Sequence, residues 1–327
     1  MGHLLHYGTA LEDFLAAPDI DTTSDTWFDP AWDVRGFELR HGRDAVRYFF
    51  KDVEPAGDLW VSFFFRSSRH DTLVDPDAIF MTFDDADGAV VAEIKPVAAT
   101  NLWHARALGD TIETGASGLL VSSRTDYWFD VRVSVGAVIT VEFHVDGALA
   151  SQATASNTGG RGKPRRVGFW VRGHYSSNRA ERTGFGNIAM LDGVSSLGRR
   201  FLRLTPNAAG AFDQWSGGVA DLADGAATAV STASSGQRQS FTVSGPPVPS
   251  GGTVAAVHVM AAARGGANAG RLAGSVRVGG VDYDTASEVV DGEQRRLRAF
   301  TFEQDPSTGL AWTTAGLPWE AGLVSDD

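Results

Sequence analysis

An alternation of apolar and polar side chains between residues 127 and 145 is the feature that most constrains the fold. Every second residue of the run 127–135 is apolar: Tyr127, Phe129, Val131, Val133 and Val135. The run 139–145 repeats the pattern with Ile139, Val141, Phe143 and Val145. Successive side chains of a β-strand point to opposite faces, so the pattern predicts two half-buried strands. Gly136-Ala137 between them predicts a hairpin turn, and Asp146-Gly147 predicts a second turn.

The same period of two recurs up to about residue 200. It predicts strands at 37–39, 45–50, 59–66, 79–83, 89–95, 168–172 and 188–191. The segment from Leu4 to Tyr7 is interpreted as the first strand rather than as an apolar end that inserts into a partner. No stretch of ten residues in this region has the 3.6-residue repeat of an amphipathic helix. The sequence therefore predicts an all-β sandwich over residues 1–197.

A change in composition near residue 193 predicts a second domain. From about 208 to 287 the chain is rich in Ala, Gly, Ser and Thr, with strands predicted at 238–243, 254–261, 272–278 and 297–302. Pairs such as Gly251-Gly252 and Pro246-Pro247 separate them. A flexible linker does not fit, because apolar runs recur throughout. We expect a smaller β-sandwich over 198–327.

Length and charge narrow the possible functions. A chain of 327 residues suggests two domains, and its 28 basic and 40 acidic residues give a net charge of −12, which repels nucleic acid. The absence of Cys excludes disulfides, thiol catalysis and thiolate zinc sites. The first residues lack a basic segment followed by an apolar run, so we expect neither a signal peptide nor membrane insertion.

Two stretches of the first domain resemble a known fold family. Residues 127–133, Tyr-Trp-Phe-Asp-Val-Arg-Val, lead into residues 139–150, Ile-Thr-Val-Glu-Phe-His-Val-Asp-Gly-Ala-Leu-Ala. Residues 185–193, Phe-Gly-Asn-Ile-Ala-Met-Leu-Asp-Gly, are similar to a closing strand. Together they resemble the concanavalin A-like (laminin G-like) jelly roll of lectins and glucanases over 1–197. The resemblance implies the fold and says almost nothing about function.

The second half resembles a virion domain. Residues 200–210 read Arg-Phe-Leu-Arg-Leu-Thr-Pro-Asn-Ala-Ala-Gly, and residues 305–313 read Asp-Pro-Ser-Thr-Gly-Leu-Ala-Trp-Thr. This order resembles the C-terminal β domain of tailed-phage and gene-transfer-agent (bacteriophage-like) spike or fibre proteins, head spikes in particular. The stretch 315–322, Ala-Gly-Leu-Pro-Trp-Glu-Ala-Gly, departs from the family's Asn-Ala-x-Glu-x-Gly ending. The resemblance implies a location on the virion surface after assembly in the bacterial cytoplasm, with other virion subunits as partners.

Motifs for catalysis are absent from the sequence. The segment Gly115-Ala-Ser-Gly118 lacks the last Gly of an esterase nucleophile elbow, and 159–164 has the wrong spacing for a phosphate loop, so it is interpreted as a basic loop. No Glu-x-Asp-x-x-Glu strand of a glycosidase occurs; Glu142 and Asp146 stand apart, and the turn explains Asp146. We expect no enzymatic activity and no cofactor.

Asp84, Asp85 and Asp87 are weak candidates for calcium ligands, because hard cations prefer clustered oxygens. The favoured interpretation is a hairpin turn at Asp87-Gly88, since Asp and Gly are typical turn residues. We therefore predict no metal site.

A polar loop is the main candidate for ligand binding. Glycans are held by flat aromatic rings and by planar amide, Arg and acid groups. The candidate glycan-binding residues are His174, Tyr175, Asn178, Arg179 and Arg182, with Trp103 and Trp128 as secondary candidates. A solvated loop with Tyr175 packed on a neighbour is an equally acceptable interpretation.

Three functions remain open at this point. The first is a non-enzymatic spike or fibre subunit, homo-oligomeric, that adheres to host capsular or envelope polysaccharide. The second is a structural base, decoration or joining protein of the virion. The third, ranked lowest, is a capsule depolymerase.

Overall fold

A computed structural model describes residues 3–8, 13–16, 21–22, 36–41, 46–67, 80–97, 102–116, 119–120, 125–172, 181–223, 229–265, 270–290 and 296–326. The chain forms two compact units, Met1–Phe201 and Leu202–Asp327. The sequence places the division at residue 197, in the same stretch of chain.

The first unit is built of β-strands. Their bounds are β1 His3–Gly8, β2 Leu15–Ala16, β3 Asp21–Thr22, β4 Gly36–His41, β5 Val46–Asp52, β6 Leu59–Ser67, β7 Met81–Asp84, β8 Val90–Pro96, β9 Leu102–Leu108, β10 Ile112–Thr114, β11 Leu119–Leu120, β12 Tyr127–Val135, β13 Val138–Val145, β14 Ala148–Ser156, β15 Arg166–Arg172 and β16 Glu181–Asp192.

These strands form two antiparallel sheets. The first sheet has the order β14-β13-β12-β6-β16-β4-β3, with β1 also paired to β16. The second has the order β10-β9-β8-β7-β15-β5-β2, with β11 also paired to β9. Strands β4, β5, β6 and β7 alternate between the sheets, and so do β14, β15 and β16. The unit is a jelly-roll β-sandwich, and the chain as a whole is all-β apart from short helical turns, as predicted.

The core between the two sheets is aromatic. Its largest fully buried side chains in this unit are Trp103, Phe49, Phe63, Phe65, Phe83, Phe129, Phe143, Phe169 and Phe185. Phe49 stacks on Phe169 with ring centroids 4.7 Å apart, and Phe65 stacks on Phe129 at 4.8 Å. Aromatic pairs at such distances add to the apolar area they bury.

The predicted hairpin is confirmed in detail. β12 has the predicted bounds, and it pairs with β13 so that Phe129 faces Val145 and Val133 faces Val141. The first strand is also confirmed, because β1 pairs with β16.

The sequence analysis did not predict two long strands of the first unit, β9 and β14. In both, small residues occupy the inward positions: Ala105 and Ala107 in β9, and Ala150, Ala153 and Ala155 in β14. Alanine gives no hydrophobic contrast with its neighbours and favours helices, so alternation is hard to see where alanine is the buried residue.

The second unit combines a large and a small sheet. Its elements are β17 Thr205–Asp213, α1 Ala220–Ala223, β18 Arg238–Ser244, β19 Val257–Ala263, β20 Gly270–Val278, β21 Val281–Asp284, β22 Glu288–Val290, β23 Arg296–Phe302, a 3-10 turn Thr314–Gly316 and β24 Glu320–Asp326. Six strands form one sheet in the order β17-β18-β24-β20-β21, with β22 also on β20, and β19 pairs with β23. The four strands predicted in this region correspond to β18, β19, β20 and β23.

The two sheets of this unit meet through Phe300 of β23. Its ring packs on β20 where residue 274 is glycine; a Cβ there would lie 2.3 Å from the Cβ of Phe300. Leu272 and Val290 complete this buried cluster.

The segment 305–313 forms a compact turn. The Asp305 carboxylate accepts hydrogen bonds from the backbone N–H and the hydroxyl of Ser307, at 2.9 and 2.6 Å. Gly309 has φ 70°, and the indole N–H of the buried Trp312 donates to the carbonyl of Phe302 at 2.8 Å. The motif residues therefore hold a turn against β23.

No helix among the described residues is long and apolar enough to cross a membrane.

Replacing Phe129 by alanine tests the core. We expect a loss of about 3–5 kcal/mol in the free energy of unfolding of the first unit, because the ring is fully buried among other rings. Urea unfolding followed by tryptophan fluorescence measures it. The matched variant Ile112→Ala, at a side chain that is 58% exposed, should change stability by less than about 0.5 kcal/mol. Equal losses would contradict this account of the core.

Candidate functional site

Most of the predicted glycan-binding loop lies outside the described residues. This holds for His174, Tyr175, Asn178 and Arg179. Arg182 belongs to β16, where its backbone pairs with Arg40, and its side chain also lies outside the description. The role of these five residues stays a prediction.

Trp103 was wrongly placed among the candidate glycan-binding residues. Its side chain is only 2% exposed and packs between Phe65 and Phe80 in the core, so no sugar can reach it. Trp128 does lie on the outer face of the first sheet. There the guanidinium of Arg200 stacks over its ring at 4.2 Å, so the chain itself covers one ring face.

The acidic turn serves the backbone. The carboxylate of Asp85 accepts hydrogen bonds from the backbone N–H groups of Asp87 and Ala89, at 3.0 and 2.9 Å. Gly162 donates a longer bond of 3.4 Å to its second oxygen. Across the described ranges no group of three or more His, Asp or Glu side chains could hold a metal ion. These contacts agree with the turn interpretation of this segment.

The glycine-rich loop at 159–164 is organised around a carboxylate. Asp110 accepts hydrogen bonds from the N–H groups of Thr158 and Gly159 and from the Thr158 hydroxyl, all between 2.8 and 2.9 Å. These bonds lower the pKa of Asp110. A cleft of about 280 Å³ separates this loop from the acidic turn. Because Asp110 occupies two N–H groups that a phosphate would need, the loop is not a phosphate cradle.

Glu142 and Asp146 also have structural partners. Glu142 accepts a hydrogen bond from Arg132 at 2.9 Å, and Arg132 also pairs with Asp58 at 2.7 Å. Asp146 has φ 49° in its turn and accepts the backbone N–H of Trp128 at 2.8 Å.

The outer face of the second sheet carries a stack of aromatic rings. Tyr48 and Phe50 project from β5, and their ring centroids lie 5.3 Å apart with planes 23° from parallel. Trp170 of the neighbouring strand β15 adds a ring 4.0 Å from that of Tyr48. The guanidinium of Arg166 lies over the other end, 3.9 Å from the centroid of Phe50. All three rings are half-buried.

Glycine makes room for this stack. Gly168 lies directly across from Phe50 on β15, between the outward positions of Arg166 and Trp170. A Cβ on Gly168 would lie 2.7 Å from the ring of Tyr48 and 2.7 Å from the hydroxyl of Thr82. The ring of Tyr48 therefore rests where a larger residue would place its side chain.

Polar groups adjoin the stack on the side of β7. The indole N–H of Trp170 donates to the Thr82 hydroxyl at 3.2 Å, and Thr82 hydrogen-bonds in turn to the carboxylate of Asp84. The other oxygen of Asp84, Oδ1, is buried and has no hydrogen-bond partner. Burial raises the pKa of Asp84, and burial together with the Asp84 charge raises the pKa of Tyr48. Arg166 makes a two-pronged ion pair with Asp52 at 2.7 and 3.3 Å.

This arrangement offers flat apolar surface beside the partly exposed ion pair of Arg166 and Asp52. A ligand with an apolar face and a ring of hydroxyl groups matches both. The sequence analysis missed Tyr48, Phe50 and Arg166. The available signal was the outward position of Tyr48 and Phe50 on either side of the inward Phe49, combined with a glycine in the facing strand.

Comparison with known proteins gives structural similarity alone. No family model matches the chain, and no curated protein matches it. Similar solved structures include an endo-β-1,4-glucuronan lyase from the fungus Trichoderma reesei, with TM-score 0.46 and 11% identity over 58% of this chain and 96% of the other. The cellulose induced protein Cip1 has TM-score 0.41 and 14% identity over 56% and 93%. A carbohydrate esterase of the Shiga toxin-encoding bacteriophage phi24B has TM-score 0.40 and 9% identity over 59% and 100%. At these values the similarities assign no activity and no ligand to this chain.

Asp84 gives a prediction about stability. Because its folded pKa is raised above the ordinary value of 3.8, ionised Asp84 weakens the fold at neutral pH. We expect Asp84→Asn to increase the free energy of unfolding by up to about 1 kcal/mol at pH 7. The gain should disappear as the pH falls through the raised pKa, where the wild-type carboxyl becomes neutral. Urea unfolding of the wild type and the variant at pH 7 and at pH 4 measures the difference in the free energy of unfolding at each pH. The control is Asp87→Asn on the exposed turn, and a stabilisation independent of pH would contradict the prediction.

Proposed function

We propose that the first unit binds polysaccharide through the outer face of its second sheet, and that the chain is a non-enzymatic spike or fibre subunit of a virion. The observation that carries the binding proposal is the stack of Tyr48, Phe50 and Trp170 beside the partly exposed ion pair of Arg166 and Asp52.

Physical chemistry favours a sugar over a purely apolar ligand. Sugar rings present C–H surfaces that pack on aromatic rings, and hydroxyl groups that donate hydrogen bonds. Arg166 and Asp52 at one end of the stack have side chains that are 39% and 56% exposed, and they offer donors and acceptors to such hydroxyl groups.

The virion part of the proposal is supported by sequence resemblance. It depends on the motifs at 200–210 and 305–313, of which the second forms the turn around Asp305. Location on the virion surface follows from it, with host capsular or envelope polysaccharide on one side and other virion subunits on the other. Several copies in one appendage would multiply a weak affinity for sugar.

Binding of the full chain to encapsulated bacteria tests the site. We expect capsule-dependent binding that Trp170→Ala and Tyr48→Ala each weaken at least about tenfold, because a central aromatic contact is worth more than about 1.4 kcal/mol. Bacteria with and without capsule are compared by titration with labelled protein. The matched control is Trp319→Ala in the second unit, a tryptophan that is 58% exposed. Binding that survives both site variants would overturn the assignment of this face.

Replacing residues 174–180, which precede β16, by Gly and Ser residues in the assembled particle tests the role of the predicted loop. We expect particles that form normally and adsorb poorly to encapsulated cells, measured by particle counts and adsorption assays. Failure of assembly would favour the structural role instead. Release of reducing ends from purified capsule by the intact protein would favour a depolymerase.

A further inference from the structure

The strand register brings a second group of side chains to the outer face that holds the aromatic stack. Thr82 of β7 lies across from Gly168 on one side and from Glu93 of β8 on the other. Glu93 in turn lies across from Arg106 of β9. Two residues further along the strands, and on the same face, Lys95 of β8 lies across from His104 of β9.

A gap separates these side chains from the aromatic stack. Phe80 lies between Trp170 and Lys95 in the sheet: its carbonyl accepts the N–H of Trp170 at 2.7 Å, and its own N–H donates to Ile94 at 3.0 Å. Its ring, however, is 6% exposed and packs in the core against Phe65 at 5.1 Å. Among the described residues, the outer face therefore has no side chain at this position.

We call this gap the trough. Its floor is the backbone of Phe80, one wall is Trp170, and the opposite wall is Lys95 with His104. The trough is closed at Gly168 and Thr82, because the ring of Tyr48 covers Gly168 and Thr82 is only 4% exposed. Trp170 and Lys95 stand two strand spacings apart, which is about 10 Å. A single polysaccharide strand fits between walls at that separation.

The wall opposite the rings is cationic. Within the described part of the chain the Lys95 ammonium has no hydrogen-bond or ion-pair partner. Glu93 does not neutralise it, because Arg106 already pairs with Glu93 at 2.6 Å. The pKa of His104 is lowered by burial and then by the charges of Arg106 and Lys95.

The other charges that face the trough lie at its far end. Asp84 is beyond Thr82, beside Arg166, which pairs with Asp52. Among the described residues the trough therefore has a cation without a partner at one end, and the ion pair of Arg166 and Asp52 lies beyond the other.

We propose that the ligand of the trough is an acidic polysaccharide, with a carboxylate of the sugar paired to Lys95 while the sugar ring lies against Trp170. The inference rests on the proposed function, since it names the class of polysaccharide that the aromatic face receives. Among the described residues the ammonium of Lys95 has no counter-charge; a neutral sugar would leave it so, whereas a uronate supplies one.

Matched pairs of polymers test the inference. Alginate, polygalacturonate and hyaluronate are each compared with the carboxyl-reduced polymer made from the same material, by titration against the full chain. We expect at least one acidic polymer to bind, and its reduced form to bind about tenfold more weakly. Binding of the acidic form should weaken as salt rises.

Variants separate this inference from the proposed function. Lys95→Gln should lower affinity for the acidic form about threefold to tenfold and leave the reduced form unchanged, whereas Trp170→Ala should weaken both. The control Lys163→Gln removes a lysine whose ammonium donates to the carbonyl of Ala56, away from this face, and should change neither.

Three results would overturn the inference. Equal binding of the acidic and reduced forms, both sensitive to Trp170→Ala, would refute it and leave the proposed function standing. Binding of neutral polymers alone would also refute the inference and leave the proposed function standing. Binding of any polymer that is insensitive to Trp170→Ala would refute both.

Discussion

The aromatic core between the two sheets is the constraint on which the rest of the first unit depends. Phe63, Phe129 and Phe169 are fully buried and come from three strands that are distant in sequence. A slip of one residue in any of these strands would turn its aromatic residues out to solvent and its polar residues into the core. The rings therefore determine the register, and the register determines which side chains share the outer faces.

The candidate site is a consequence of that register. Because Phe49 and Phe169 point inward and stack on each other, Tyr48, Phe50 and Trp170 must point outward on adjacent strands. Phe80 contributes by joining the core, which leaves the outer face open beside Trp170. The same packing that stabilises the sandwich thus shapes a groove on its surface, and the exposed rings there add nothing to the core.

Many of the acidic residues have a structural role that a search for catalytic pairs or metal ligands does not anticipate. The carboxylates of Asp85, Asp110 and Asp305 each accept backbone N–H groups in a turn or loop. Such bonds use oxygens that a metal ion or a substrate would need. Asp84 differs, because one of its oxygens is buried and has no donor among the described residues, and burial raises its pKa.

The sequence by itself determined the all-β class and the hairpin of 127–145, because alternation and turn residues are local signals. It also determined that Trp128 faces outward and that 85–88 is a turn. Only the tertiary structure decided that Trp103 is buried and that Tyr48 lies across from Trp170 with its ring over Gly168. These facts depend on which distant strands pair and which of the two sheets each one joins. Local periodicity describes the two faces of a strand, and the pairing of β5 with β15, more than a hundred residues apart, is decided by how the whole core packs.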